Sequence, residues 1–225
     1  MKRWLIPLLL FLIYAPWSGS LDLAVTGLFY TPGAIGDNRF VSNSITQFLF
    51  DWGPTPAWIV TLFCLGVLLL GFFSSYWAKW RKYALVPVIV MALGCGLTIH
   101  AFLKDHWGRA RPKETLEFGG KQPFRPFYAA NFGNPIPSKS FPCGHCAMGF
   151  VFFSVALVGQ QMRKRWLEIT GYFLAFGIGT ILSLLRITQG GHYLSDAIAS
   201  ALIIWWVSLI ACWVVFRNER KTCTV

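Results

Sequence analysis

The sequence predicts an all-α polytopic membrane protein, built as a bundle of about six transmembrane helices. Hydrophobic residues make up 55% of its 225 residues and charged residues 13%, whereas a typical soluble domain is about 25% charged. Six apolar runs, most of them close to the roughly 20 residues that a spanning helix needs, are separated by Gly, Pro and charged residues. This composition nearly excludes a soluble enzyme and predicts a single integral membrane domain over residues 1–225.

The predicted spans follow the apolar runs. They lie at about residues 4–17, 57–76, 84–103, 145–161, 167–186 and 196–216. The first run also fits a secretory signal peptide, because two basic residues precede it and the small residues Ser18 and Ser20 follow it. We favour a retained anchor. The stretch from Leu21 to Pro56 is too polar to span and is expected to lie along the outer interface.

The positive charges indicate how the spans are oriented. Of the 20 Lys and Arg, eleven form short clusters that all face one side if every run spans. These clusters are Lys2 and Arg3, then Lys79, Arg81 and Lys82, then Arg163, Lys164 and Arg165, and finally Arg217, Arg220 and Lys221. Positively charged loops favour the cytoplasmic side. The other cations then lie at the outer side, where so basic a surface indicates an anionic ligand, and no nucleic-acid partner is expected.

Three short segments at the outer ends of the spans carry polar groups, and the first of them follows the third span. It reads Lys104-Asp-His-Trp-Gly-Arg-Ala-Arg111-Pro112. On a helix, Lys104 and Arg111 would be about two turns apart and would face the same point, and Pro112 would end the helix. The alternative is a row of cations that reach out to the lipid headgroups.

The second segment, Phe141-Pro-Cys143-Gly144-His145, opens the fourth span. A Gly at a helix N-terminus exposes backbone N–H groups at the positive end of the helix dipole, which is a favourable place for an anion. His145 is placed to donate or accept a proton. Taken alone, such a His is more often an ordinary hydrogen-bonding residue.

The third segment joins the fifth and sixth spans and contains a His and an Asp four residues apart. On a helix, Asp196 can accept the N–H of His192 and fix its tautomer, which leaves the other ring nitrogen free to attack. Gly190 and Gly191 allow a tight turn that returns Arg186 to the same point. The alternative is a structural His–Asp pair that joins two helices.

The three segments together supply what phosphoryl transfer requires. They provide three fixed cations, a backbone site for an anion, a carboxylate-oriented His and a second His for proton transfer. No cluster of Asp and Glu indicates a metal site, so the cations are expected to neutralise the phosphate, and no metal or cofactor is expected.

These segments, in the same order and with the same internal spacings, resemble the three signature motifs of the type 2 phosphatidic acid phosphatase (PAP2) superfamily. The motif region covers about residues 104–196. The resemblance implies a metal-independent lipid phosphatase whose active site faces the outer side of the membrane. It also implies roles for individual residues: His192 as nucleophile, Asp196 as its orienting partner, His145 as the acid, and Lys104, Arg111, Cys143, Gly144 and Arg186 as the phosphate-binding set.

Two positions depart from the family pattern. Cys143 replaces the usual Ser of the second motif, and Leu185 replaces the Ser that commonly precedes the third-motif Arg. Both changes remove hydroxyl contacts to phosphate without removing the nucleophile. Within the superfamily, Trp107-Gly-Arg-Ala-Arg-Pro, Glu117-Phe-Gly-Gly and Phe124 look similar to bacterial lipid A phosphatases. The resemblance therefore implies lipid A as the first substrate, at the periplasmic face of a bacterial inner membrane.

Other readings stay open at this point. Undecaprenyl pyrophosphate, phosphatidylglycerophosphate and phosphatidate are alternative substrates, and the oligomeric state is unknown. Cys143-Gly-His-Cys146 also has the form of a thiol–disulfide redox motif, although a disulfide between these two Cys would be expected to distort the phosphate site. A transporter is disfavoured because the charges gather at one end of the spans. His100 is expected to pack near the site or support it.

Overall fold

A computed structural model describes residues 2–133 and 138–220 of the protein. The α-helices are α1 (Lys2–Tyr14), α2 (Ser18–Gly27), α3 (Ser44–Trp52), α4 (Thr55–Phe73), α5 (Ser75–Ala78), α6 (Arg81–Ile89), α7 (Gly144–Phe150), α8 (Phe152–Gln161), α9 (Arg165–Thr188) and α10 (Leu194–Arg220). A π-helix, Val90–Lys104, continues α6. The described residues form no named strand and one isolated bridge, between Thr115 and Gln122. The predicted all-α class is confirmed.

In the part of the chain that the structure describes, five helical stretches are long and apolar enough to cross a membrane. They are Arg3–Gly27, Ser44–Phe73, Arg81–Lys104, Arg165–Thr188 and Leu194–Arg217. Two of these stretches extend well beyond the predicted spans: the first ends at Gly27 and not near residue 17, and the second begins at Ser44 and not near residue 57. The second starts at Ser44 because α3 continues into α4, and Gly53 between the two helices has helical dihedral angles.

The first stretch continues through polar residues that were expected to lie outside the span. Ser18 and Ser20 donate their hydroxyl hydrogens to the carbonyls of Ala15 and Trp17 within the same helical turn. Asp22, in α2, is fully buried against other parts of the chain. Because Ser18, Ser20 and Asp22 have hydrogen-bond partners within the protein, the helical stretch can continue through them to Gly27.

The fourth predicted span, 145–161, forms two shorter helices instead of one. These are α7 and α8, which adjoin at Val151 and are buried along nearly their whole length. Small residues let α9 approach them closely. A methyl group on Gly149 would lie 2.5 Å from Cα of Gly179, and one on Gly171 would overlap the backbone of Ala156. Close backbone contact through small residues is a common way for helices to associate in membranes.

The basic clusters lie together at one end of this bundle. Arg3 donates to Gln160, Gln160 donates to Glu168, and Glu168 pairs with Arg165. In the same region, Tyr83 packs against Phe216 at a centroid distance of 5.3 Å. Lys221, the last predicted member of these clusters, lies outside the described residues. The three motif segments are at the opposite end, where the π-helix and α9 end and α7 and α10 begin.

Candidate active site

The structure brings the three motif segments together. Lys104 ends the π-helix, His145 lies in the first turn of α7, and His192 directly precedes α10. The charge of Lys104 acts on Arg111 and Arg186, and the charge of Arg186 acts on His145. Segments that are far apart in sequence therefore form one positively charged group.

Among the side chains that the structure describes, none forms an ion pair with any of the three cations of this group. The ion pairs of the described residues involve other side chains, and none of them includes Lys104, Arg111 or Arg186. In addition, the Nε atoms of Arg111 and Arg186 are buried without a hydrogen-bond partner. Burying unpaired cationic donors is costly, and an anion bound between them would remove that cost.

Arg111 lies near Lys104 and Arg186, but the backbone that carries it is a loop and not the predicted helix. The expected helix carrying both Lys104 and Arg111 is wrong, because helical structure ends at His106 and Gly108 has a left-handed φ of +67°. Arg111 is extended, with ψ of 155°, and Pro112 opens a short 3₁₀ turn instead of ending a helix. The next residue, Lys113, donates its N–H to the carbonyl of Gly190, which ties this loop to the third segment.

The turn after α9 returns to Arg186, as predicted. Gly190 has φ of +60°, and the N–H groups of Gly191 and His192 both donate to the carbonyl of Arg186. The Arg186 guanidinium lies so close to Gly191 that any side chain there would overlap it. It also donates to Gln189 and lies over the ring of Phe50, 4.7 Å from its centroid.

His192 and Asp196 lie next to each other, although His192 lies before the helix and not on it, and Nδ1 of His192 has no hydrogen-bond partner in this structure. Nδ1 of His192 is 3.5 Å from Oδ2 of Asp196, and His192 is 1% exposed. The same carboxylate accepts the N–H of Tyr193 and the hydroxyl of Ser140. Asp196 thus caps the start of α10 while facing the imidazole. Burial lowers the pKa of His192 to about 4, against the opposing effect of Asp196, so the ring is neutral at pH 7.

Sequence reasoning missed two charged residues behind this pair. Arg109 donates to both Asp196 and Asp22, and all three side chains are almost fully buried. Burial alone would lower the pKa of Arg109, but the two carboxylates raise it above its ordinary value. The available signal was Asp22 itself, because an Asp beside an apolar helix usually has a partner or a function.

The second motif places His145 beside an aromatic ring. The imidazole stacks on Phe50, with centroids 4.3 Å apart and ring planes inclined by 19°. Phe50 therefore contacts both His145 and the guanidinium of Arg186. Its position in α3, outside the three motifs, gave no sign of this contact in the sequence.

Cys143 differs from its predicted role. It forms a disulfide with Cys146, both residues are fully buried, and its sulfur accepts the N–H of Cys146 at 3.2 Å. A thiol hydrogen is therefore absent, and the sulfur is directed into the first turn of α7. Gly144 and His145 lie inside the four-residue loop that this disulfide closes.

The donor set of the site contains few metal ligands. In the two described ranges, no group of three or more His, Cys, Asp or Glu could hold a metal ion.

Beside Arg186 there is a cavity of about 200 Å³ that includes Ser42, Gln47, Lys113 and Gln189 in its lining. This cavity offers polar groups next to the cations.

Comparison with known proteins identifies the family. The sequence matches the PAP2 superfamily over residues 83–220. It is 30% identical over 200 residues to the lipid A 4'-phosphatase of Francisella tularensis subsp. novicida (strain U112), covering 88% of this chain and 85% of that protein. It is 26% identical over 207 residues to the lipid A 1-phosphatase of Rhizobium etli (strain ATCC 51251 / DSM 11541 / JCM 21823 / NBRC 15573 / CFN 42), covering 84% of this chain and 78% of that protein.

A third relative matches over a shorter region. The lipid A 4'-phosphatase of Rhizobium leguminosarum is 30% identical over 140 residues, which is 60% of this chain and 53% of that protein. No solved structure matches the chain. The family match covers all three motif segments and more than half of the sequence. The chain therefore belongs to the PAP2 superfamily.

Proposed function

We propose that this protein is a lipid phosphatase that removes a phosphate monoester from lipid A. The observation that carries the proposal is the group of unpaired cations, Lys104, Arg111 and Arg186, gathered beside His145 and a carboxylate-oriented His192. A phosphate dianion would balance two of these three positive charges and accept hydrogen bonds from the Nε atoms of the two Arg, which have no partner in the structure. The lipid A phosphatases among its relatives support the lipid substrate.

The proposed reaction proceeds through a phosphohistidine. Nε2 of His192 attacks phosphorus, an N–P bond forms, and the P–O bond to the lipid breaks while His145 protonates the leaving oxygen. In the second step, His145 takes a proton from water, the water oxygen attacks phosphorus, and the N–P bond breaks. Inorganic phosphate leaves and both His return to their starting states. The net reaction consumes one water for each ester cleaved.

The cations are proposed to take the place of a metal ion in this reaction. Lys104, Arg111 and Arg186 would stabilise the negative charge that develops on the phosphate oxygens, as preorganised positive groups do in other phosphoryl-transfer sites. The Gly144 backbone would contribute N–H donors, while Cys143 would act through its disulfide and not through a thiol.

We propose that the site faces the periplasm of a bacterial inner membrane. Two observations support this orientation. The basic clusters lie at the opposite end of the bundle, which favours the cytoplasmic side for that end. The disulfide between Cys143 and Cys146 lies at the site end, and disulfides persist in oxidising compartments such as the periplasm.

Lipid A is the favoured substrate because its phosphates are carried on sugar rings. The cavity beside Arg186 contains amide, hydroxyl and ammonium groups suited to sugar hydroxyls, and it adjoins the cation that would bind the phosphate. The 4' position is favoured by the Francisella relative, whose match covers 88% of this chain. Phosphatidate, phosphatidylglycerophosphate and undecaprenyl pyrophosphate are the alternative substrates.

The test is a mass-spectrometric assay of purified protein in detergent with lipid A and with each alternative lipid. We expect loss of one phosphate from lipid A, and tandem spectra locate the remaining phosphate at position 1. His192→Ala should abolish turnover, whereas His106→Ala, the same change at an exposed His, should retain it. Release of phosphate by His192→Ala, or turnover of an alternative lipid with lipid A untouched, would contradict the proposal.

Orientation needs a separate experiment. In a chain with Cys223 replaced by Ser, Tyr128→Cys would introduce a thiol at the site end and Lys164→Cys one at the basic end, both at exposed positions. A membrane-impermeant maleimide, applied to cells with a permeabilised outer membrane, should label the variant at 128 and spare the one at 164. The reverse pattern would overturn the periplasmic assignment.

A further inference from the structure

We propose that Asp22 is a positioning residue for the reaction. Its carboxylate sets the net charge of the buried cluster of Asp22, Arg109 and Asp196, which supports His192. This inference rests on the proposed function. Asp22 lies in α2, outside residues 83–220 that match the superfamily. The family match therefore assigns no role to Asp22.

Asp22 is bound on both carboxylate oxygens. Oδ1 accepts the N–H of Ser195 at 2.8 Å, and Oδ2 accepts the Ser195 hydroxyl at 2.6 Å and Nη2 of Arg109 at 2.7 Å. Asp22 and Ser195 are both 0% exposed. These contacts join α2 to the first turn of α10, where Asp196 also lies.

Arg109 connects Asp22 to the His–Asp pair. Its Nη1 donates to Oδ1 of Asp196 and to the hydroxyl of Ser195, and its Nε donates to the carbonyl of Arg125. Opposite Asp196, the guanidinium lies over the ring of Tyr193, 4.3 Å from the centroid. The planar fork of Arg can hold two carboxylates at once, which a Lys could not do with the same geometry.

The number of charges explains why two carboxylates are useful here. A single Asp196 paired with Arg109 would be electrically neutral and would give little stabilisation to a positive imidazole. With an ionised Asp22 added, two negative charges face one positive charge, and the cluster carries one net negative charge. The donors on Asp22, which come from Arg109 and from the N–H and hydroxyl of Ser195, favour the ionised form. When Nε2 of His192 bonds to phosphorus while Nδ1 keeps its hydrogen, the ring becomes cationic. Asp196, the carboxylate of this cluster that lies 3.5 Å from Nδ1 of His192, then faces the cationic ring, and the net negative charge of the cluster stabilises that intermediate.

The first experiment removes the negative charge of Asp22 and keeps the size of its side chain. Asp22→Asn should lower kcat for lipid phosphate hydrolysis by about tenfold or more and leave KM nearly unchanged, since the affected charge supports the reacting ring and not the bound phosphate. Glu168→Gln makes the same chemical change in a surface ion pair at the opposite end and should retain wild-type turnover. Wild-type kcat in Asp22→Asn would overturn the inference.

A double variant separates the charge effect from a packing effect. Asp22→Asn with Arg109→Gln removes one negative and one positive charge and restores the net charge of the cluster. We expect its kcat to exceed that of Asp22→Asn at least threefold. If Asp22 served only to hold α2 in place, the second substitution would add to the damage. A double variant as slow as, or slower than, Asp22→Asn would overturn the charge argument.

Folding is monitored by gel filtration and thermal unfolding in detergent. If Asp22→Asn does not fold, Ser195→Ala tests the same charge, because it removes the hydroxyl that donates to Oδ2 of Asp22 and so makes the ionised carboxylate less stable. It should lower kcat several-fold at constant KM, and an unchanged kcat would again overturn the inference. If the wild-type protein hydrolyses no lipid phosphate, the proposed function itself fails, which is distinguishable from a normal wild type with an unaffected Asp22→Asn.

Discussion

Gly144 lies directly against His100. A methyl group built on Gly144 would be 2.5 Å from Nε2 and 2.8 Å from Cε1 of the imidazole. The sequence placed His100 near the site as a supporting residue, and the structure confirms that proximity. A side-chain carbon at residue 144 could not come this close to the imidazole. Residue 144 must therefore be Gly as long as His100 keeps this position.

The first prediction follows from that contact. Gly144→Ala should reduce turnover by about tenfold or more, since the added methyl would overlap the His100 imidazole and force it or the start of α7 to shift. Removing the imidazole as well, in the double variant His100→Ala with Gly144→Ala, should recover part of the lost rate. Steady-state kinetics of both variants test this. A double variant no faster than Gly144→Ala would show that Gly144 is needed for another reason.

The protonation of His192 is the second prediction. Because burial lowers its pKa to about 4, the ring should stay neutral from pH 8 down to about pH 5 and bind a proton only as the pH falls through about 4. Nuclear magnetic resonance of protein with ¹³C-labelled histidine would follow this, with the His192 signal assigned by its loss in His192→Ala. A midpoint at or above about 6.5, the value of an unperturbed His, would contradict the buried, neutral ring.

This shift also affects stability. The folded-state pKa lies below the unfolded value, so protons bind preferentially to the unfolded chain as the pH falls from about 6.5 towards 4. The contribution of His192 to the free energy of unfolding should therefore decrease over that interval, and His192→Ala should flatten that part of the pH profile.

The cysteine pair gives the third prediction. Closing a loop of four residues stabilises a fold by about 2 kcal/mol in the chain-entropy description, so Cys143→Ser with Cys146→Ser should lower the unfolding temperature. Turnover should be retained or raised, because the proposed nucleophile and the cations are unchanged and Cys143→Ser restores the hydroxyl typical of the family. Alkylation and mass spectrometry establish the redox state. A collapse of activity to background would show that the disulfide itself positions His145.

Metal removal is the fourth prediction. The site is proposed to stabilise the phosphate with Lys104, Arg111 and Arg186, so incubation with EDTA should leave kcat and KM unchanged. The control is a metal-dependent phosphatase treated in parallel. Strong inhibition that added Mg²⁺ reverses would refute the cation-only site.

Helix packing gives the fifth prediction, independent of the chemistry. Gly149→Ala would place a methyl 2.5 Å from Cα of Gly179 and should destabilise the protein by about 1–3 kcal/mol through overpacking. Gly177→Ala, in α9, is the matched control because nothing lies within 4 Å of its added methyl. It should be neutral or slightly stabilising, since Ala favours a helix over Gly. Thermal unfolding in detergent compares them, and an equal effect of both would contradict the close contact.

Local sequence patterns were sufficient for the fold class and for several contacts within the third segment. Hydrophobic runs of membrane-spanning length predicted the helical bundle, because a chain in lipid must satisfy its backbone internally. The spacing within the third segment predicted the contact between His192 and Asp196 and the return of Arg186. Such relations involve neighbours in the chain, so the sequence carries them directly.

Other predictions differed from the structure because their outcome depends on packing. A helical spacing from Lys104 to Arg111 suited the sequence, but the chain turns at Gly108 and carries Arg111 on a loop. The fourth predicted span is divided at Val151, which the surrounding helices bury. A residue pattern cannot reveal either feature, because each depends on contacts with distant elements.

By itself, the sequence determined that this protein is a helical membrane protein of the PAP2 superfamily, with its basic and imidazole side chains in three ordered segments. The tertiary structure decided which further groups join them. Asp22 meets Arg109 across 87 positions of the chain and Ser195 across 173. No periodicity or spacing relates residues so far apart, since their contact exists only after the helices that carry them have packed together.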